Sequence, residues 1–240
     1  MLAYRVGQES EADAYKNMET LTPEMLLNAY ANGYFPMAQS RDADELHWFS
    51  PEMRGIIPLD EFHISRSLRQ DAKRLIESGT YRITIDTCFR DVITACAQTP
   101  RSHESGSWIN HQIIALYTEL AAHGFAHSVE CWQGDALVGG LYGISLHGAF
   151  FGESMFSTAD HASKICLIYL VAILRESGYS LLDTQYVNDH LKQFGVREVP
   201  KADYETKLSY ALNMSDNPSR RFSDIGGSIA SASSVPLSDN

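Results

Sequence analysis

A chain of 240 residues, 44% of them hydrophobic, can bury a substantial core, and a formal charge of −11 excludes a protein that coats nucleic acid by indiscriminate phosphate neutralisation. The first thirty residues mix charges throughout, and no stretch approaches the roughly eighteen uninterrupted apolar residues of a membrane span, so a soluble cytoplasmic protein is expected. Cys88, Cys96, Cys131 and Cys166 show neither C-x-x-C spacing nor the density of a disulfide scaffold, and read as small core residues in a reducing compartment.

Thr22-Pro23-Glu24 supplies an N-cap, a proline for the first turn and an early acid, predicting a short amphipathic helix that stops at Gly33. Pro36, Pro51 and Pro58 limit the next segment to short extended pieces, so residues 1–61 read as a small N-terminal unit. Residues 65–77 predict a helix closed by Gly79. At 100° per residue Arg66, Arg69 and Lys73 fall within about 60° of one another, with Arg74 on the same side. Residues 62–82 hold five Lys/Arg against two acids in an acidic chain. The stripe fits a phosphate-contacting face and equally a solvated one.

Residues 81–85 alternate as a strand, and Asp86 is expected to cap a helix running to about Ala97. A polar loop ends in Ser107-Trp108-Ile109, and residues 110–123 read as a helix stopped by Gly124. Residues 125–132, 137–146 and 149–152, joined by turns at Gly134-Asp135 and His147-Gly148, predict an antiparallel meander in which Gly139, Gly140 and Gly143 invite bulges or close approach by a ligand. Residues 161–177 form an apolar helix ended by Gly178, residues 180–184 a buried strand, and Pro200 opens a last helix to about Leu212. This order suits an α+β fold with a mixed sheet. Residues 215–240, rich in Ser, Gly and Asp, read as a disordered tail.

Two polar clusters stand out, Gly152-Glu153-Ser154-Met155-Phe156-Ser157 and Asp183-Thr184-Gln185 followed by Asn188-Asp189-His190. A carboxylate at the end of each of two core strands is hard to justify by packing, because an unpaired buried charge is strongly disfavoured. If the strands are neighbours, Glu153, Asp183 and Gln185 converge at one sheet end, with Asp183 and Gln185 on one face. They form either a polar active site or a hydrogen-bond network that holds the adjoining loop. The i, i+4 pair His123 and His127 is interrupted by Gly124 and lacks a third ligand, which argues against a metal site. The glycines at 139–143 sit inside a strand pattern and do not form a phosphate cradle. Trp48 and Trp108 lie in loop-like contexts, as stacking surfaces for bases or as plugs beneath their loops.

With Asn32-Gly33-Tyr34-Phe35-Pro36, Trp48-Phe49-Ser50-Pro51, Phe62-His63-Ile64-Ser65-Arg66-Ser67, Ser107-Trp108-Ile109, Val138-Gly139-Gly140-Leu141-Tyr142-Gly143 and these two clusters in order, the sequence closely resembles the leucyl/phenylalanyl-tRNA–protein transferase family over about residues 21–212. The resemblance implies a small N-terminal domain packed on a GNAT-like (acyltransferase superfamily) mixed-sheet domain, here residues 62–214. It implies an enzyme that moves Leu or Phe from leucyl-tRNA or phenylalanyl-tRNA to proteins with N-terminal Arg or Lys and so marks them for N-end-rule proteolysis. Neither cofactor, metal, DNA nor membrane is implied, and the family suggests a monomer. By motif match Asp183, Gln185 and Glu153 fall at the reaction centre, Trp48 and Trp108 around the terminal adenosine, and Leu141, Phe150, Met155, Ser157 and Leu182 in the aminoacyl pocket, with Asn188 beside them. Arg66, Arg69, Lys73 and Arg74 fall where the acceptor stem is contacted. Family members commonly carry Gly-Gly-Asp just before the first helix; here residues 17–23 read NMETLTP, which puts the anchoring of the N-terminal unit in question. A rival is an acetyl-CoA-dependent N-acetyltransferase, but the Q/R-x-x-G-x-G/A segment that cradles pyrophosphate is missing from residues 153–160, which hold no glycine. A third reading is a tRNA- or N-terminus-binding module without chemistry.

Overall fold

The computed structural model describes residues 21–41, 43, 45–99, 107–232 and 234–236, so residues 17–20 of the Gly-Gly-Asp comparison lie outside it. Helix α1 (Pro23–Ala31) starts as expected, with the Thr22 hydroxyl accepting the Met25 N–H, and buries Leu26, Ala29 and Tyr30. Strands β1 (Phe35–Ala38) and β2 (Leu46–Phe49) form an antiparallel hairpin. Trp48 therefore sits in a strand, opposite Pro36, and not in a loop.

Seven strands build the main sheet: β3 (Met53–Ile56), β4 (Arg82–Ile85), β5 (Ala126–Gln133), β6 (Ala136–Leu146), β7 (Ala149–Ser157), β8 (Leu181–Gln185) and β9 (Arg197–Pro200), in the order β4-β5-β6-β7-β8-β3-β9. All pairs are antiparallel except β7–β8. The α+β expectation holds, but the boundary at residue 61 does not, because β3 is inserted between β8 and β9. Its four residues carry too little pattern to reveal pairing with strands more than a hundred residues away.

Helices cover both faces. On one, α2 (Arg66–Glu77) and α5 (Ala162–Ser177) bury Leu68, Leu75, Ile165 and Leu174 against Val129, Leu141 and Phe150. On the other, α1, α3 (Phe89–Gln98), α4 (His111–Ala122) and α7 (Lys201–Leu212) gather Leu26, Val92, Ile113, Tyr117 and Leu208 around Tyr142 and Phe151. Alternation along β7 sends Phe150 to one layer and Phe151 to the other. The short α6 (Asp189–Lys192) links β8 to the turn before β9.

Two expectations need correction. Asp86 does not cap α3, whose N-cap is Cys88; it adopts a left-handed φ of 56° and accepts the Ser128 N–H at 2.8 Å, with His127 Nδ1 2.8 Å away. The tail is not wholly irregular. Helix α8 (Phe222–Ser231) packs on α5 and β4 through a fully buried Phe222, which stacks on Phe150 at 5.4 Å and on His127 at 4.2 Å. Phe222, Ile225, Gly226 and Ile229 recur at helical spacing, a signal that the Ser/Gly composition around them hides. Residues 233 and 237–240 of the expected tail lie outside the described residues.

Candidate active site

Strands β7 and β8 pair in parallel only at Ala149–Leu181, Phe150–Leu182 and Phe151–Asp183, and beyond that point a cavity of about 610 Å³ opens beside them. Its apolar wall comprises Leu141, Met155, Phe156 and Leu182 of the sheet, Leu167 and Leu170 of α5, and Leu191 of α6. Its polar rim includes Glu153, Ser157, Thr184, Gln185, Asn188 and His190. Seven residues expected in the site, Leu141, Glu153, Met155, Ser157, Leu182, Gln185 and Asn188, thus line one cavity.

Strand irregularities aim the two central polar groups. Tyr142 pairs with Ser154 and Gly143 with Gly152, so Glu153 is the extra residue of a β-bulge. A Cβ on Gly143 would lie 2.2 Å from the Phe151 carbonyl oxygen, so only glycine permits this bulge. On β8, Ile56 pairs with Asp183 and Gly55 with Gln185, leaving Thr184 unpaired, and Gln185 takes a left-handed φ of 59°. In the orientation that satisfies its amide, Gln185 Nε2 donates to the carbonyl oxygens of Gly152 (2.9 Å) and Thr184 (3.1 Å). The bond to Gly152 ties the diverging strands together, and the pair leaves Oε1 as an acceptor.

Glu153 accepts a hydrogen bond from the Tyr30 hydroxyl at 2.7 Å, and Tyr30 in turn contacts the Tyr117 hydroxyl. Since the one Tyr30 proton goes to Glu153, Tyr117 is the donor to Tyr30. Burial pushes Glu153 up to about 8, the Asp183 carboxylate adds to this, and the Tyr30 bond and the Arg54 guanidinium only partly offset it. Burial, reinforced by Lys164, lowers His190 and favours its neutral form. The Oγ1 of Thr184 and the Nε2 of His190 are buried without a hydrogen-bond partner among the described residues.

Asp183, expected at the reaction centre, is fully buried and lies outside the cavity lining. Its oxygens are taken by Arg54 Nε (3.0 and 3.1 Å), Arg54 Nη2 (2.7 Å), the Tyr204 hydroxyl (2.7 Å) and the Gln185 N–H (2.7 Å). Arg54, 1% exposed, also donates to the Gly33 carbonyl and lies 4.5 Å from the ring centres of both Phe35 and Tyr204. Burial, the largest single influence, would lower the guanidinium, but the Asp183 charge and hydrogen bonds, with Tyr204 and Tyr30, together raise it. No sequence signal marked Arg54, Tyr30, Tyr117 or Tyr204, since each reaches the centre from a distant segment.

Phe150 is fully buried in the same layer as Leu141 and Leu182, but its ring packs on Phe222 and it is absent from the cavity lining. Ser157 is exposed, donates to the Ala159 carbonyl and accepts the Ser163 N–H, so it shapes the entry to α5 as well as the cavity edge. Asn188 caps α6 through the Leu191 N–H. Trp48 and Trp108 are half-buried among the α1–α4 cluster and are not part of the cavity lining; the Ala38 N–H donates to the Trp108 carbonyl, tying β1 to the loop before α4. On α2, Arg66, Lys73 and Arg74 are exposed and Arg69 is half-buried, on the side away from buried Leu68, Ala72 and Leu75. Lys73 faces Glu77 at 3.8 Å and Arg74 faces Asp71 at 3.0 Å.

Residues 56–209 match the family model described as leucyl/phenylalanyl-tRNA protein transferase, and residues 19–52 match that of its N-terminal domain. A leucyl/phenylalanyl-tRNA–protein transferase of Paramagnetospirillum magneticum is 51% identical over 195 residues, 81% of this chain and 91% of the relative. One of Maricaulis maris is 52% identical over 189 residues, 79% and 85% of the two chains. Among solved structures, L-PGS from Bacillus licheniformis aligns over 70% of this chain and 55% of its own at 16% identity and a TM-score of 0.36, too low to inform the site. Family models spanning both parts of the chain and half-identical relatives agree: the chain belongs to the leucyl/phenylalanyl-tRNA–protein transferase family, enzymes that transfer an aminoacyl group from tRNA to protein.

Proposed function

We propose that this enzyme transfers Leu or Phe to the α-amino group of acceptor proteins that begin with Arg or Lys, with the aminoacyl side chain held in the β7–β8 cavity. The observation that carries this reading is the pairing of an apolar pocket with Glu153 and Gln185 at its rim. A cavity of about 610 Å³ is in the range of small-ligand sites and accommodates a Phe or Leu side chain with part of the terminal ribose. Burial of such a side chain contributes roughly 1.5–3 kcal/mol of binding.

The ester is already activated, so the chemistry reduces to delivering a neutral amine in attack geometry. An α-amino group has a pKa of about 7.7–8.0. Glu153, raised to about 8, is matched to take that proton, which transfers from ammonium to carboxylate with little free-energy change. The amine nitrogen then attacks the ester carbonyl carbon, the C–N bond forms, and the bond to the ribose oxygen breaks, the nitrogen's second proton passing to that oxygen so that the tRNA leaves with a free ribose hydroxyl. Gln185 Oε1 accepts a hydrogen bond from the amine and aligns it; its neutral amide is too weak a base to remove the proton. Asp183 acts through Gln185 as a positioning residue. Thr184 Oγ1 and His190 Nε2 are free to hydrogen-bond the ribose or the ester. Positioning of the two reactants contributes roughly 7–11 kcal/mol of the barrier reduction.

The terminal adenosine lies against Trp48 and Trp108, and the exposed face of α2 meets the acceptor stem. The enzyme works as a cytoplasmic monomer, and its product carries a new N-terminal Leu or Phe that serves as a degradation signal. The deciding measurement tracks labelled phenylalanine from Phe-tRNA to peptides that differ only at the first residue, with labelled acetyl-CoA as control donor. Transfer of phenylalanine to Arg- and Lys-starting peptides is expected, with no label transferred from acetyl-CoA; equal transfer to Glu- and Arg-starting peptides would refute the acceptor assignment.

A further inference from the structure

Gln185 is the one residue of the cavity rim whose backbone adopts a conformation that L-residues rarely hold, at φ 59°, and its side-chain direction depends on that backbone. Asp183 Oδ1 takes the Gln185 N–H at 2.7 Å, a contact between residues i and i+2 that forms only when this carboxylate is correctly turned. The plane of the carboxylate is set by Arg54, whose Nε and Nη2 meet it as a fork. Arg54 is itself held between the rings of Phe35 and Tyr204 and by the Gly33 carbonyl, while Tyr204 makes its own bond to Oδ2. A Cβ at Gly55, next to Arg54, would stand 2.7 Å from the Tyr186 carbonyl carbon, so β3 packs directly against the backbone on the C-terminal side of Gln185.

Resting on the proposed transfer reaction, we propose that Arg54 and Tyr204 are positioning residues: they orient the Asp183 carboxylate, which fixes the left-handed backbone of Gln185 and aims its amide oxygen at the acceptor amine. Neither residue lines the cavity. A buried ion pair is poor evidence of stabilisation, since well-packed apolar residues serve stability as well or better, and the fork geometry is what an apolar substitute loses. The groups facing Glu153 are Tyr30 of α1, Tyr117 of α4, Arg54 of β3 and Asp183 of β8, so loss of the Arg54 cation removes one of the influences that hold the Glu153 proton affinity down.

The test compares wild type, Arg54→Lys, Arg54→Met and Arg54→Met/Asp183→Asn in transfer of phenylalanine from Phe-tRNA to an Arg-starting peptide, with thermal melting alongside. The double variant leaves no unpaired charge and keeps an acceptor for the Gln185 N–H, so it provides a folded reference. A kcat loss of about a hundredfold in both Met variants, with KM for Phe-tRNA within about twofold, is expected for misplacement of a reacting group. Arg54→Lys, which keeps the charge but not the fork, falls between. In Arg54→Met the acid limb of the kcat profile moves to higher pH, which a purely structural role would not produce. Wild-type kcat in the folded double variant, or a change confined to KM, overturns the proposal. If the double variant does not fold, Arg54→Lys decides: a melting temperature and kcat both like wild type overturn it, and a wild-type melting temperature with reduced kcat supports it. Failure of wild type itself to transfer phenylalanine refutes the proposed function and takes this proposal with it, whereas an active wild type beside fully active Arg54 variants refutes only the positioning role.

Discussion

Glu153→Gln separates the cost of holding a carboxyl group at the reaction centre from its use. In the folded protein Glu153 titrates at about 8, against an ordinary carboxyl value of 4.5. Between those values the folded state binds a proton that the unfolded chain has released, so stability is full below about pH 4.5, falls as pH rises and levels off above about 8. At 1.36 kcal/mol per unit the whole shift corresponds to about 5 kcal/mol, and solvent reaching a half-buried side chain reduces this to roughly 2–4 kcal/mol. Glutamine is neutral at every pH and still accepts the Tyr30 hydroxyl proton. The variant is therefore expected to match wild type to within about 0.5 kcal/mol near pH 4 and to exceed it by roughly 2–4 kcal/mol near pH 9, while losing most transfer activity. Urea unfolding monitored by tryptophan fluorescence across this range measures the difference directly. A stability difference that stays constant with pH, or one in which wild type gains on the variant as pH rises, would refute the assignment of a raised proton affinity to Glu153.

Replacing Arg66, Arg69 and Lys73 together by Gln is expected to raise KM for charged tRNA and lower the slope of log K against log salt by about 2–3, with melting unchanged because the substitutions leave the buried face of α2 intact. Equal salt slopes would show that α2 makes no phosphate contacts. Phe222→Ala, which empties a site packed against Phe150, Tyr179 and His127, should destabilise the protein by roughly 3–5 kcal/mol in chemical denaturation. An unchanged midpoint would mean that α8 does not dock on the sheet.

Most of the helices before α8 announced themselves locally. Thr22, Ser65 and Asn110 cap the elements they precede, and Gly178 ends α5 in the left-handed conformation. The glycines within β6 pointed to irregularity, and one of them makes room for the bulge that presents Glu153. Glu153 and Gln185 were visible because polar residues interrupted apolar strands, a signal of one-dimensional pattern. That pattern could not say which of two carboxylates meets solvent. Asp183 and Glu153 look alike in sequence; Arg54, brought in from 129 residues away, makes the former a sealed ion pair, whereas burial raises the proton affinity of the latter. Phe150 shares a layer with Leu141 and Leu182 of the cavity wall, and only its packing on Phe222, from a segment 72 residues away, takes it out of the lining, which motif proximity does not reveal. Asp86 misled as a cap because its side chain is spent on a neighbouring strand instead.

The insertion of β3 between β8 and β9 also sets an order of events during synthesis. Arg54 leaves the ribosome 129 residues before Asp183, which at typical elongation rates is a delay on the order of ten seconds. Until then β3 has no partner in the sheet, and its four residues, with a charge and a glycine in the middle, are a weak template for mispairing. The geometry around Gln185 closes only once β8 and α7 have arrived. A chain interrupted before that stage carries much of the apolar wall of the pocket but neither Asp183, Gln185 nor Tyr204.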